Sequence, residues 1–461
     1  MTLNTGFCLQ VYTVISLVIC GLVQYFTGVL AVLWLPVIMA FVMAGLLVMQ
    51  TRREPLSLDL QELMVLVIYL CFLTLALIST FLQGGVTVTI VGFKNEVAMS
   101  LVLFCLLLGF CRESQIYRVS RSLYWIFYAQ IPVAIFQVLV MVPKRVAIRG
   151  EDEKWDSVVG TFGGDPMGGG NTAVMGLFCL LIMLMKLSEL KHGATTYRST
   201  ALHLLLGFAL CIIGEVKFII LLSPFLMALV WSMSSWTRGA PKITLKTLLI
   251  IAGVMGGLIS IAIMVLAAGY SSAFGGDAGK SSLSIFLDSL DYIFDTNYIM
   301  AATGELGRLT TVFFWARHSD MWGISSVLFG YGLNATNSGS AVSPGFLNLI
   351  FHLILDSTAL SMLLWEVGIV GTVLFIGLIL WIIRITWPKP QLELAELGMD
   401  DRRLLSYGPA FTVFLIGCLL SLPYSQTLMI IPMVQFLFYL VSGSALVIRR
   451  AVQRSTGSMY E

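Results

Sequence analysis

Apolar runs of about twenty residues recur along the whole chain, divided by short polar or charged stretches. Twenty helical residues rise about 30 Å, the thickness of bilayer hydrocarbon, so each run is long enough to cross a membrane. The pattern predicts about twelve spans, at 7–26, 28–49, 62–82, 97–111, 118–142, 171–187, 200–214, 217–236, 245–268, 358–383, 407–422 and 427–447. It implies an all-α, polytopic integral membrane protein with residues 1–461 forming a single membrane domain. The first run has neither a basic segment ahead of it nor a small-residue cleavage site, so it is expected to be a retained helix. No internal repeat is visible, and the halves lack the matched broken helices of an inverted-repeat transporter.

Two connections are long, a Gly-rich one over 143–170 and a larger one over 269–357. The second is too long for a structureless link and should carry its own elements. Ser284 to Phe294 and Leu309 to Trp322 alternate apolar and polar positions in a way that suits short amphipathic helices lying along the interface.

Composition agrees with that outline. Hydrophobic residues make up 58% of the chain and charged residues 11%, which excludes an ordinary soluble domain. The net charge of +2, without a basic tail or finger spacing, gives no reason to expect nucleic acid. All eight cysteines fall inside or at the ends of predicted spans, without CxxC spacing, and read as apolar packing residues.

Charge adds orientation. Of 27 Lys and Arg, eighteen fall at alternate helix ends, as expected of cytoplasmic loops, which puts both termini inside. The remaining nine are Lys94, Lys144, Arg145, Arg149, Lys154, Lys217, Lys280, Arg308 and Arg317, all at or near the opposite face. Cations are normally kept off that face, so their presence there points to an anionic ligand.

Four clusters could serve such a ligand. The run Gly160 to Asn171 lacks the Gly-Lys-Ser/Thr ending of a P-loop; it reads either as a re-entrant turn or as bare N–H groups, with Asn171 at a helix start, facing an anion. Glu215 and Lys217 occupy a very short turn between two spans, either as an interfacial anchor pair or facing a polar cavity; Lys94 and Glu96 open the fourth span similarly. Arg308 begins a predicted helix, where its planar guanidinium can grip a diphosphate, and Arg317 and His318 follow it. His352, Asp356, Ser357 and Glu366 precede or enter the tenth span. A buried carboxylate at Glu366 would need a partner. The four histidines are scattered and no outer carboxylate pair appears, so neither a metal site nor a cofactor is expected.

In this order, those motifs resemble the bacterial O-antigen ligase and O-antigen or exopolysaccharide polymerase group. Gly160-Thr-Phe-Gly-Gly-Asp-Pro with Asn171 is similar to the family's Gly-x-Phe-x-Asn-x-Asn stretch, and Glu215-Val-Lys217-Phe stands where the family shows Ser-Arg-Gly. Gly307-Arg308 followed by Phe329-Gly-Tyr-Gly resembles its Arg, then Leu-x-Gly-x-Gly. Asp356-Ser357 with Leu363, Glu366-Val-Gly368 and Gly371 resembles His-Ser/Asn-x-x-Leu and Glu-x-Gly-x-x-Gly. Lysine replaces arginine at 217, and aspartate or serine stands at the ligase's histidine, which favours a polymerase.

The resemblance implies a C-type glycosyltransferase in the bacterial inner membrane, with a periplasmic active site polymerising or transferring undecaprenyl-diphosphate-linked oligosaccharide. Expected partners are that polyprenyl-diphosphate-linked oligosaccharide, membrane lipid, a chain-length regulator and other polysaccharide export proteins. Lys217 and Arg308 would approach one another and hold the diphosphate. Glu215, Arg317, His318, Asn171, Lys94 and Arg145 would assist binding. Asp356 would deprotonate the acceptor, held ionised by nearby cations, unless it or Ser357 simply caps the helix. A transporter or flippase, and a non-catalytic secretion subunit, are the competing readings.

Overall fold

The computed structural model describes residues 4–50, 58–150, 157–167, 169–241, 244–273, 284, 287, 290–301, 303–339 and 343–457. Arg52, Arg53, Lys154, Lys242 and Lys280 lie outside these, as do the side chain of Lys246 and much of the helix expected over 284–294. The chain is 75% helical. Among the described residues, strand pairing is confined to two-residue pairs, Gly164–Asp165 with Gly169–Gly170 and Thr237–Arg238 with Leu392–Glu393.

Among the described residues, eight helices are long and apolar enough to cross a membrane: Thr5–Thr27, Leu30–Met49, Leu60–Val97, Glu113–Arg149, Thr172–Lys191, Gly368–Thr386, Met399–Ser421 and Pro432–Ser455. Tyr197–Ile213, Lys217–Ser232 and Gly256–Ala267 are shorter apolar helices. The chain is therefore an all-α, polytopic membrane protein. The expected fourth span is different in kind. Within 97–111 the chain forms only the eight-residue helix Ser100–Leu107, reached through a π-helical turn at Phe93–Val97. Eight residues rise about 12 Å, too little to cross.

Burial orders the helices. Pro432–Ser455 is enclosed over its whole apolar window and Thr172–Lys191 and Met399–Ser421 over 83% of theirs, against 28% for Leu30–Met49 and Leu60–Val97. The first three form the centre, while the outer helices turn side chains such as Phe41, Leu82 and Leu139 outward, as lipid contact requires. The central helix is tied to the start of Leu60–Val97 by two ion pairs, Arg449 to the partly exposed Asp59 at 2.5 Å and Arg450 to the buried Glu62 at 2.9 Å. Each guanidinium has its carboxylate, which is the condition for holding charge in a core.

Two breaks shape the site. Leu60–Val97 kinks at Gly85 (φ 70°, ψ −171°), a backbone state open to glycine. The expected tenth span is divided into Ala359–Glu366 and Gly368–Thr386. There the carbonyls of Trp365 and Glu366, freed by the break, accept the N–H groups of Tyr331 and Gly332, each at 2.8 Å. The segment after the short helix Ile324–Phe329 thus sits in the broken helix. Arg308–His318, Ile324–Phe329 and Phe346–Phe351 form a lobe with its own core of Leu306, Tyr331, Ala335, Leu347, Leu355 and Trp365.

Candidate functional site

The segment 330–338 is gripped by three carboxyl groups. Glu96, from the turn closing Leu60–Val97, accepts the Asn334 N–H at 2.9 Å. Glu366, at the helix break, accepts the Thr336 N–H at 3.0 Å and its hydroxyl at 2.7 Å. Oε2 of each glutamate is buried and has no hydrogen-bond partner among the described residues. Asp356 accepts the Ser338 N–H at 3.0 Å and its hydroxyl at 2.8 Å, both on Oδ2.

A cationic cluster adjoins this segment. Arg308 donates from Nη1 to the Ser357 carbonyl, next to Asp356, and to Glu305 at 3.2 Å. Its guanidinium lies 5.3 Å from the Tyr292 ring centre and 5.9 Å from that of Tyr424, and Lys217 Nζ lies 5.9 Å from the same Tyr292 ring. The hydroxyls of Tyr292 and Tyr424 meet at 2.9 Å, and Phe218 stacks on Tyr424. Lys217 and Arg308 thus come together, from two separate helix starts, on one aromatic ring. Burial, and then the Tyr424 hydroxyl, push the Tyr292 phenol well up, so it stays neutral and offers the cations its ring face.

Asp356 departs from expectation. It is 1% exposed, and burial pushes its carboxyl up rather than down. Among the described residues, Oδ1 has no hydrogen-bond partner in another residue, and the neighbouring Ser357 hydroxyl has none. Neither residue caps the helix: Thr358 does, accepting the Ser361 N–H at 3.0 Å.

The other expected residues divide. Lys94 donates to Asn95 at 2.9 Å, and Asn95 donates to Asn334 at 2.9 Å, which joins Lys94 to the gripped segment. Glu215 lies in the turn before Lys217 and takes φ 53°. Among the described non-glycine residues, positive φ occurs at Glu215, Asn334 and His352, all within this region, as strained backbone at functional sites tends to be. Arg317 and His318 stand at the far end of Arg308–His318, about 14 Å along its axis. Arg317 is exposed there, while the His318 ring stacks on Phe314 with centres 4.3 Å apart.

The start of the Gly-rich run does not present bare donors. Val159 and Gly160 give their N–H groups to Gln137 at 3.0 and 2.8 Å, and Thr161 gives its own to Gln130 at 2.7 Å. Asn171 donates to the Phe162 carbonyl and Arg145 to the Pro166 carbonyl, so both serve to hold this loop. Gln130 and Gln137, two turns apart on Glu113–Arg149, were the overlooked signal, since buried amides within an apolar run need backbone partners.

Sequence reasoning also passed over Tyr292, Tyr424 and Ser338, whose residue types carry no motif. An apolar groove of about 830 Å³ lies between Leu60–Val97 and Gly368–Thr386, lined by Leu75, Ile78, Leu82 and Leu374 and bounded by Trp322 and Phe329. Gln83 closes its polar end, donating to the Gly330 carbonyl at 2.9 Å. The groove shares no lining residue with the Lys217–Arg308 pair. Among the described residues no group of three or more His, Cys, Asp or Glu is placed to hold a metal ion.

What these features define is a polytopic helical membrane protein with a cationic, carboxylate-flanked site at the end of the bundle where the lobe folds in. No protein-family model matches the chain, and neither does any curated protein.

Proposed function

We propose that this is a membrane glycosyltransferase that polymerises, or transfers, undecaprenyl-diphosphate-linked oligosaccharide at the periplasmic face of the bacterial inner membrane. The observation that carries the reading is the convergence of Lys217 and Arg308 on Tyr292, with Arg308 bonded to the carbonyl beside Asp356. A diphosphate between the two cations would have its charge balanced as it departs, a transition-state interaction worth about 3–4 kcal/mol for a single well-placed donor. The anomeric carbon–oxygen bond to the diphosphate breaks, and a bond to the acceptor hydroxyl oxygen forms. The hydroxyl proton passes to Asp356 Oδ1, the carboxylate oxygen with no partner in another residue among those described.

Asp356 is enclosed in the conformation described, so acceptor binding would displace Ser338 from it. Eleven apolar helices alone would leave the termini on opposite faces; a twelfth crossing would be made by the part of Leu60–Val97 beyond its kink at Gly85 together with Ser100–Leu107, as the charge alternation requires. Both termini then lie in the cytoplasm and the 143–170 and 269–357 connections in the periplasm. The test is transfer by purified protein in proteoliposomes containing a polyprenyl-diphosphate oligosaccharide. Lys217→Ala and Arg308→Ala should abolish product while inserting normally. Unchanged product from both variants would reject the reading and leave a transporter or a structural secretion subunit.

A further inference from the structure

A second polar cavity, of about 250 Å³, opens at the other end of the bundle. Arg121, Lys186 and Arg403 line it together with Glu189, His203 and Ser199. Ser199 and His203 belong to the first turns of Tyr197–Ile213, whereas Lys217 follows that helix's last turn, about 25 Å away along the axis. The cavity is therefore separate from the cationic site above.

Its charges are unevenly matched. Glu189 is fully engaged: Lys186 Nζ is 2.6 Å from Oε2, and the Tyr124 and Tyr407 hydroxyls donate to Oε1 at 2.9 and 3.0 Å. Lys186 also lies 4.0 Å from the Tyr124 ring centre. Arg403 donates from Nε to the Ala194 carbonyl at 3.2 Å, and its nearest carboxylate, Asp400, is 3.8 Å away and largely exposed. Arg121 has only a ring contact, 5.9 Å from the centre of Tyr117, and neither a hydrogen bond nor an ion pair among the described residues. Three cations thus face one carboxylate that is already satisfied, in a walled space rather than on an open helix end.

We propose that this cavity binds a phosphoryl anion. Guanidinium groups match phosphate oxygens in pairs, and Ser199 and Tyr128 add hydroxyls at the wall. The volume is that of about eight waters, enough for a phosphoryl group with a short polar attachment. The same chemistry is offered by an anionic phospholipid headgroup and by free phosphate. Trp125, 75% exposed on the wall, is the kind of ring found at lipid–water boundaries.

The experiment uses full-length protein, delipidated in detergent. Native mass spectrometry with phosphatidylglycerol or phosphatidylcholine reads lipid binding, and thermal unfolding with inorganic phosphate reads the free anion. Arg121→Gln is the main variant because that side chain supports no hydrogen bond; Arg121→Lys keeps the charge. Wild type should bind phosphatidylglycerol about tenfold better than phosphatidylcholine, with Arg121→Gln losing most of that preference and Arg121→Lys keeping it. Stabilisation by inorganic phosphate, lost in Arg121→Gln, without any preference for phosphatidylglycerol would assign the site to the soluble anion. Binding of both probes unchanged in Arg121→Gln, or binding of neither to wild type, would overturn the proposal.

Discussion

Glu96 and Glu366, 270 positions apart in the chain, hold backbone N–H groups two residues apart, those of Asn334 and Thr336. The pair fixes the folded-in segment to the membrane domain by satisfying donors that would otherwise be buried without partners.

This arrangement predicts an uncommon mutational pattern. Glu96→Gln keeps an oxygen for the Asn334 N–H, so stability should change by less than about 1 kcal/mol. Glu366→Ala leaves the Thr336 donors unmet and should cost about 1–3 kcal/mol. Thermal unfolding in detergent orders the two, and a Glu366→Ala variant as stable as wild type would exclude a stabilising role for the Thr336 bonds.

Glycines at the helix break predict a sharper loss. A Cβ on Gly330 would lie 2.4 Å from the Glu366 carbonyl carbon, and one on Gly368 would lie 2.4 Å from that of Leu328. Both residues also have positive φ, at 72° and 66°, which alone costs an L-residue about 1–2 kcal/mol. Gly330→Ala and Gly368→Ala should each lower the yield of folded protein in membranes, whereas Gly377→Ala, with nothing within 4 Å, should not. Equal yields by fluorescence-detected gel filtration would refute the close approach.

Much of this was legible in the sequence and some could not be. Helix length and apolarity found the apolar helices, eight of them long enough to cross among the described residues, because the bilayer sets a minimum length for a span. The region around 97–111 misled because Gly85 and the π-turn at Phe93–Val97 spread its apolar residues over a kinked helix and a short one. Lys217, Arg308 and Asp356 stood out because charge is rare in such a chain, and the fold does bring them near one another. The Gly-rich run looked like an anion cradle only while its donors were counted without Gln130 and Gln137. The Glu96–Glu366 pair joins two segments that local pattern cannot relate.

Orientation can be tested at exposed positions. Arg317 and Arg198 are both exposed, at opposite ends of the bundle by the charge alternation. In a cysteine-free background, Arg317→Cys should react with an impermeant maleimide in intact spheroplasts, and Arg198→Cys only after permeabilisation. The reverse pattern would put the Lys217–Arg308 cluster in the cytoplasm and remove the proposed substrate with it.

The cationic cluster predicts a graded series. Lys217→Arg keeps charge beside Tyr292 and should retain most activity. Arg308→Lys keeps charge but loses the planar guanidinium and the two bonds its Nη1 makes to Ser357 and Glu305, so transfer should fall about 100-fold. Tyr292→Leu removes the ring under both cations and should weaken donor binding without changing the pH profile. Initial rates in proteoliposomes at saturating acceptor separate these outcomes, and full activity in both Lys217→Arg and Arg308→Lys would mean that charge alone is at work.

Asp356 gives the last test, because burial sets its stability and activity effects in opposite directions. Its carboxyl is pushed up by burial, against the pull of the two Ser338 bonds. A folded-state value above the unfolded one means the folded protein favours the protonated form. That contribution is complete below the ordinary aspartate value and is lost as pH rises through the raised one. Asp356→Asn cannot ionise and keeps an oxygen for Ser338, so it should unfold at the same or a higher temperature than wild type at pH 7, with the margin shrinking in acid. A base must be ionised to act, so wild-type transfer should decline on the acid side from above the usual range of about 3.9. Asp356→Asn should lose about 100-fold or more of the rate at every pH, whatever its stability. Near-normal transfer by the asparagine variant would leave Asp356 only the task of holding Ser338.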